Sequence, residues 1–275
     1  MRKAPVGTRV TTFRADVANP RDLEAFRDHV ISAQSTSHIN LLFNNAGIGG
    51  GGSVVVDPVD EWDRVFSICW GGVYHGTRTF LPLLLAATEG HVVNTSSVNG
   101  FWACLGARGA HTAYSAAKFA VKGFTEALVV DFRVNAPHLS ASVVMPGHIG
   151  TSIVFNSGDA FGRNPKELTE EQLVQVRDRL ARQGTDVSAA SDEDLRGAIV
   201  QRAEAFRDNA PTTAEQAATI ILDGVRAKQW RIVVGDDAQL LDELVRADPT
   251  RAYEPSFMED LAKNNTFGFI PGESR

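Results

Sequence analysis

The chain has 275 residues, 43% hydrophobic and 22% charged, which is ordinary for one sizeable globular domain with room for a core. Its 27 basic and 33 acidic residues leave a formal net charge of −6, which argues against nucleic acid or an anionic membrane as the main partner, since both demand a basic surface. The two cysteines, Cys69 and Cys104, are too few for a disulfide framework and too far apart for a CxxC motif, and the seven His show no metal-ligand spacing, so no metal and a reducing, cytoplasmic setting are expected.

The N-terminal MRKAPVGTRV has basic residues with no apolar segment behind them, and FLPLLLAA (80–87) is short and broken by Pro82, so neither export nor membrane spanning is indicated. RVTTFRA (9–15) reads as a strand, PRDLEAFRDHVISAQ (20–34) as a helix and INLLFNNAG (39–47) as a buried strand. GIGGGG (47–52) satisfies a GxGxxG pattern at Gly47, Gly49 and Gly52 but precedes SVVVDP rather than a helix, so it reads as a decoy and a mobile loop at the mouth of a crevice. One long helix is expected over 60–88, a strand at GHVVNTSS (90–97), a helix from Thr112 to about Arg133 and a strand at LSASVVMPG (139–147). The alternation implies an α/β fold, a doubly wound parallel sheet with helices on both faces.

From about 151 to 210 the sequence turns polar and charged, with helical pieces such as EEQLVQVRDRLARQ (170–183). A long excursion at the carboxyl end of a strand is where an open α/β sheet holds substrate, so this insertion reads as a substrate lid within a single domain spanning 1–275. A last helix at 214–229, with Thr212 or Thr213 as N-cap, and a strand at WRIVVGDD (230–237) follow.

The chemistry concentrates in YSAAK. Tyr114 and Lys118 are four apart on one helix face with only small residues between them, so phenol oxygen and ammonium approach to about 5 Å. At an effective dielectric of about 20, that charge stabilises a phenolate by roughly 3 kcal/mol, which suits an acid/base group working at neutral pH. Three expected strand ends also carry unusual polar residues: NNAG (44–47), NTSS (94–97) and MPGHIGT (145–151). In a doubly wound sheet these ends line one crevice.

NNAG, SS, YSAAK and PGHIGT, in this order, resemble the classical short-chain dehydrogenase/reductase family. The likeness covers the chain from Arg9 to about Asp237. It implies a Rossmann-type sheet and an enzyme that transfers hydride between NAD or NADP and a carbonyl or secondary alcohol. On the matching positions, Tyr114 is the acid/base, Lys118 favours its phenolate and holds the nicotinamide ribose, and Ser97 rather than Ser96 hydrogen-bonds the substrate oxygen. Asp16 and Val17 match the pair that reads the adenine edge. Asn44, Ala46 and Gly47 match the wall behind the ribose, and Pro146, Gly147, Ile149 and Thr151 match the stretch that binds the nicotinamide carboxamide. The resemblance further implies a small-molecule substrate and a homodimer or homotetramer paired through the helices at 60–85 and 112–133.

Two departures qualify this. Cys69, in ICWGGV, stands where the family carries an asparagine that orders a proton-relay water, and a thiol is a weaker donor and acceptor. The chain also opens at what resembles the family's third strand. About 45 residues of strand, glycine-rich turn, helix and strand have no counterpart, and 9–15 is left as an edge strand. The resemblance therefore implies a longer natural protein with Met1 internal or misplaced, and weak stability and dinucleotide binding for the chain as written. A non-catalytic dinucleotide-sensing or scaffold relative, or an inactive truncated fragment, is the competing reading. A serine hydrolase is set aside because no GxSxG elbow exists.

Overall fold

The computed structural model describes residues 7–104, 111–182 and 184–263. Four parallel strands, β1 (Leu41–Asn44), β2 (Gly90–Thr95), β3 (Leu139–Pro146) and β6 (Arg231–Val234), form one sheet in the order β1-β2-β3-β6. Adjacent residues of β2 point to opposite sides, so Val92 packs with Leu84, Leu128 and Phe132 while Val93 packs with Ala217, Ile232 and Val234. Helices therefore cover both faces: α3 (Gly72–Leu85) and α4 (Thr112–Asn135) on one, α8 (Ala214–Arg226) on the other. This is the doubly wound, Rossmann-like α/β arrangement that the alternating pattern implies.

α1 (Pro20–Gln34) starts where its signals place it, with Asn19 as N-cap and Pro20 in the first turn, and ends at Ser35 in the left-handed region at φ 52°. The expected strand at 9–15 does not form. A strand exists through ladder bonds to a neighbour, and no described strand lies beside this segment. It crosses α1 through side chains instead, Gln34 Nε2 donating to Thr11 Oγ1 at 3.0 Å and Phe13 stacking on Phe26 at 5.8 Å. β1 is thus an edge strand among the described residues, with Leu41 and Phe43 exposed.

The long helix expected over 60–88 is helical from Val59 to Leu85 but not uniform. α2 (Val59–Phe66) passes into a π turn at Ser67–Gly71 before α3 begins. The wider turn carries buried Cys69, whose thiol donates to the Ile48 carbonyl at 3.2 Å.

At 151–210 the short strands β4 (Ile149–Gly150) and β5 (Thr212–Thr213) pair and close the base of a helical excursion. It contains α5 (Ile153–Ala160), α6 (Glu170–Arg182) and α7 (Asp192–Asp208), with a small core of Leu168, Leu173 and Leu195. Thr213, not Thr212, caps α8, in a reciprocal capping box with Gln216. α9 (Asp236–Ala247) and α10 (Pro255–Lys263) bury Trp102, whose indole donates to the Ala252 carbonyl at 2.8 Å. No described helix is long and apolar enough to cross a membrane.

Between the sheet and its helices runs a buried polar line. Asn44 Nδ2 donates to Asn94 Oδ1 (2.8 Å) and Thr77 Oγ1 (3.0 Å), Asn94 Nδ2 to Thr125 Oγ1 (2.9 Å), and Thr125 to the Val121 carbonyl (2.7 Å). Replacing Asn94 leaves buried donors and acceptors unmatched on both sides. Asn94→Leu is expected to cost about 2–4 kcal/mol in urea unfolding, and a loss under about 1 kcal/mol would contradict the line's role.

Candidate active site

α4 is held tightly against the carboxyl end of β2. Ser96 Oγ donates to the Lys118 carbonyl at 2.7 Å, and Lys118 Nζ donates to the Thr95 carbonyl at 2.9 Å. Lys118 is buried, and its ammonium stands over the Tyr114 ring, 5.3 Å from the centroid. The four-residue spacing therefore brings the two groups together, with the charge against the ring face. Ser97, two residues past the strand, is extended and caps the 3-10 turn Val98–Gly100. Its Oγ accepts from Asn99 N–H at 3.1 Å, which leaves its own proton to donate elsewhere. Ser96, by contrast, is committed to Lys118.

The cofactor candidates divide. Asp16, Val17 and Ala46 line a cavity of about 540 Å³ together with Arg14, Arg64 and Ile68. Asp16 is already engaged: Ala18 N–H donates to Oδ1 at 3.0 Å and Arg64 pairs with Oδ2 at 2.9 Å. Desolvation works to raise its carboxyl, but the Ala18 and Arg64 hydrogen bonds outweigh it and hold it below the usual carboxylate range. Val17 packs on Gly72, where a Cβ would lie 2.8 Å from its methyl. The Asn44 amide nitrogen is turned inward, donating to Thr77 on α3 and to Asn94 on β2. Gly47 sits between Lys118 and Cys69, a Cβ there falling 3.6 Å from Nζ and 3.7 Å from Sγ.

Pro146 closes β3, and Gly147 N–H bonds the Val234 carbonyl at 3.0 Å. Gly147 passes so close to Asp237 that a Cβ would stand 2.3 Å from its carboxylate. The His148 amide donates to Asp237 Oδ2 at 2.7 Å, and its ring Nε2 donates to the Phe206 carbonyl at 2.7 Å. Burial pushes the Asp237 carboxyl up, against the hydrogen bonds it accepts from His148 and Ala238. Ile149 enters β4, and Thr151 N–H turns back onto its carbonyl at 2.8 Å.

Two side chains at the site escape the sequence reading. His111 stacks on Tyr114 with ring centroids 4.6 Å apart and an interplanar angle of 26°. Its place at the N-cap, three residues before Tyr114, is a signal that was present. Asp237 lies 89 residues from the loop it anchors, and no local pattern marks it. No described group of His, Cys, Asp and Glu has the clustering of a metal site.

Against known proteins, the family model described as short chain dehydrogenase matches residues 2–160. SadH of Mycobacterium tuberculosis, named as an oxidoreductase, is 33% identical over 241 residues, 88% of this chain and 73% of SadH. The 3-ketodihydrosphingosine reductase of Bacteroides thetaiotaomicron is 32% identical over 161 residues, 58% of this chain and 55% of that protein. Among solved structures, a short chain dehydrogenase/reductase from Burkholderia phymatum in complex with NAD is 24% identical with a TM-score of 0.62, over 98% of this chain and 81% of that one. The last likeness is one of fold.

His111 Nδ1 is shut away from solvent with no hydrogen-bond partner among the described residues, and desolvation pulls the imidazole down from 6.5 to about 4. Folded His111 is then neutral at pH 7, while the unfolded chain takes up a proton below about 6.5. Stability is therefore lost as pH falls from about 6.5 toward 4. Between pH 7.5 and 5 the parent should lose about 2 kcal/mol more than His111→Phe in denaturant unfolding. Equal losses in the two proteins would contradict this account.

Proposed function

The chain belongs to the short-chain dehydrogenase family, and from that premise we propose an NAD(P)-dependent oxidoreductase that interconverts a small carbonyl compound and a secondary alcohol. The observation that carries the reading is the buried Lys118 ammonium standing 5.3 Å from the Tyr114 ring centroid, beside the strand end that bears Ser97.

The residues present fit the adenine, ribose and carboxamide parts of a dinucleotide. The cavity beside Asp16, Val17 and Ala46 is open, and Gly47 leaves an empty flank facing Lys118 Nζ. Asp16 and Val17 would meet the adenine end, Ala46 and Gly47 the ribose, and Pro146, Gly147, Ile149 and Thr151 the carboxamide. The nicotinamide, when bound, supplies or accepts the hydride. In reduction, Tyr114 gives its phenolic proton to the carbonyl oxygen as that oxygen becomes negative, and in oxidation it takes the hydroxyl proton. Lys118 lowers the energy of the phenolate by its charge. Ser97 donates its hydroxyl proton to the same substrate oxygen while its own oxygen accepts from Asn99 N–H. Cys69, bonded to the Ile48 carbonyl, offers no free acceptor comparable to an amide, so proton exchange with solvent runs by another route.

The segment 151–210 acts in this reading as the substrate lid, with Ile153–Ala160 nearest the crevice, since Ser157 reaches Gly49. Exposed Tyr74, Leu85, Phe119, Val130 and Val134 on α3 and α4 support pairing of two copies through those helices.

The full chain is mixed with NADH or NADPH and a panel of ketones and quinones, and nicotinamide absorbance is followed. Tyr114→Phe should lower kcat by about 10²- to 10⁴-fold with cofactor affinity little changed. Lys118→Ala should damage both kcat and cofactor binding. Equal, mild effects of the two substitutions would contradict the roles assigned, and cofactor binding with no turnover across the panel would favour a dinucleotide sensor instead.

A further inference from the structure

The helix that carries Tyr114 begins without a side-chain cap. His111 occupies the N-cap position and makes no capping bond, so the first amides of α4 need other acceptors. They find them in the glycine run: Thr112 N–H bonds the Gly52 carbonyl at 2.8 Å and Ala113 N–H the Gly51 carbonyl at 3.0 Å. Gly51 suits this on two counts, a φ of 61° and a virtual Cβ only 2.5 Å from the Ala113 Cβ. The run is therefore neither a phosphate loop nor a loose one. It is the cap of α4.

Four glycines in a row have little conformation of their own, so the cap depends on what holds the loop. Glu61 holds it from α2, accepting Gly51 N–H on Oε1 at 3.2 Å. The other oxygen of the same carboxylate, Oε2, pairs with Arg163 at 2.5 Å, and the Glu61 side chain is only 10% exposed. From the same side, Ser157 Oγ accepts Gly49 N–H at 2.8 Å. Arg163 also stacks over Phe161, 5.0 Å from its centroid, and Phe161 packs in one cluster with Ile48 and Tyr114. Next to Glu61, Trp62 Nε1 donates to Thr112 Oγ1 at 3.2 Å.

We propose that Glu61 is a positioning residue that couples the 151–210 segment to Tyr114, one carboxylate oxygen fixing the glycine cap of α4 and the other fixing Arg163. Ordering of the segment over a substrate then sets the first turn of α4, and loss of Arg163 loosens it. A carboxylate so little exposed is costly without its cation, so the two contacts rise and fall together. The importance of Tyr114 rests on the oxidoreductase reading above; the physical tether does not.

The test uses the full chain with Glu61→Gln, Arg163→Met and Arg163→Lys, followed by amide hydrogen exchange and by carbonyl reduction with NADH or NADPH. Exchange at Thr112 and Ala113 should quicken about tenfold in Glu61→Gln and Arg163→Met and return toward the parent rate in Arg163→Lys. kcat should fall in the same order while cofactor affinity stays at the parent value. Unchanged exchange at Thr112 and Ala113, acceleration confined to 151–163, or acceleration spread evenly over the sheet overturns the proposal. So does a parent-like kcat alongside quickened exchange. A parent chain that turns over none of the panel sinks the oxidoreductase reading and leaves the exchange measurements to decide the tether.

Discussion

The site depends on how closely one helix approaches one strand end. Two hydrogen bonds running in opposite senses, Ser96 Oγ to the Lys118 carbonyl and Lys118 Nζ to the Thr95 carbonyl, bind α4 to β2 at the point where the strand leaves the sheet. The approach is so tight that Gly100, which passes between them, has no room for a side chain: a Cβ would stand 2.2 Å from Ser96 Oγ and 2.9 Å from the Lys118 oxygen. That contact places a buried ammonium against a phenol ring, at the carbonyl two residues before Ser97 along the chain that leaves the strand. The rest of the fold supplies the rigidity that keeps it there. The polar line Asn44–Asn94–Thr125 locks β1, β2 and α4 from below, and the glycine cap fixes the helix start from above.

Elements with strong local signals were legible from sequence. α1 announces itself by Asn19-Pro20 and an apolar stripe, and α4 runs from a start readable at Thr112. β2 and β3 are buried along nearly their whole length, around Val92-Val93 and Val143–Met145, because both faces of a parallel sheet are covered. The failures are of one physical kind. Residues 9–15 have the composition of a strand, but a strand is a property of two chain segments, and no ladder partner lies beside them among the described residues. The π turn at Ser67–Gly71 is equally invisible, and the contact made there, Cys69 with the Ile48 carbonyl, spans 21 residues.

The same division runs through the site. Tyr114 and Lys118 were readable because four residues on a helix is a geometric statement in itself. The side-chain partners of Asn44 could not be read, because a strand-end asparagine faces either the crevice or the sheet, and only the register with Asn94 decides which. Glu61 and Arg163 stand 102 residues apart, and neither carries a local mark of its partner. The glycine run looked like a phosphate loop gone wrong because composition reports conformational freedom without saying what the freedom serves. Here its carbonyls, rather than its amides, do the binding at a helix start.

Lys118 shows why such a site is held at the expense of stability. A buried ammonium loses several kcal/mol of hydration, and a hydrogen bond from a charged donor returns about 1.5–3 kcal/mol. Its bond to the Thr95 carbonyl uses one of three protons, and the ring face of Tyr114 adds about 1–2 kcal/mol more. A core residue would not be chosen this way, since a methionine of similar length would pack the same space without the penalty. The chain keeps the ammonium, with Gly47 on one side of it and the His111-stacked ring of Tyr114 on the other.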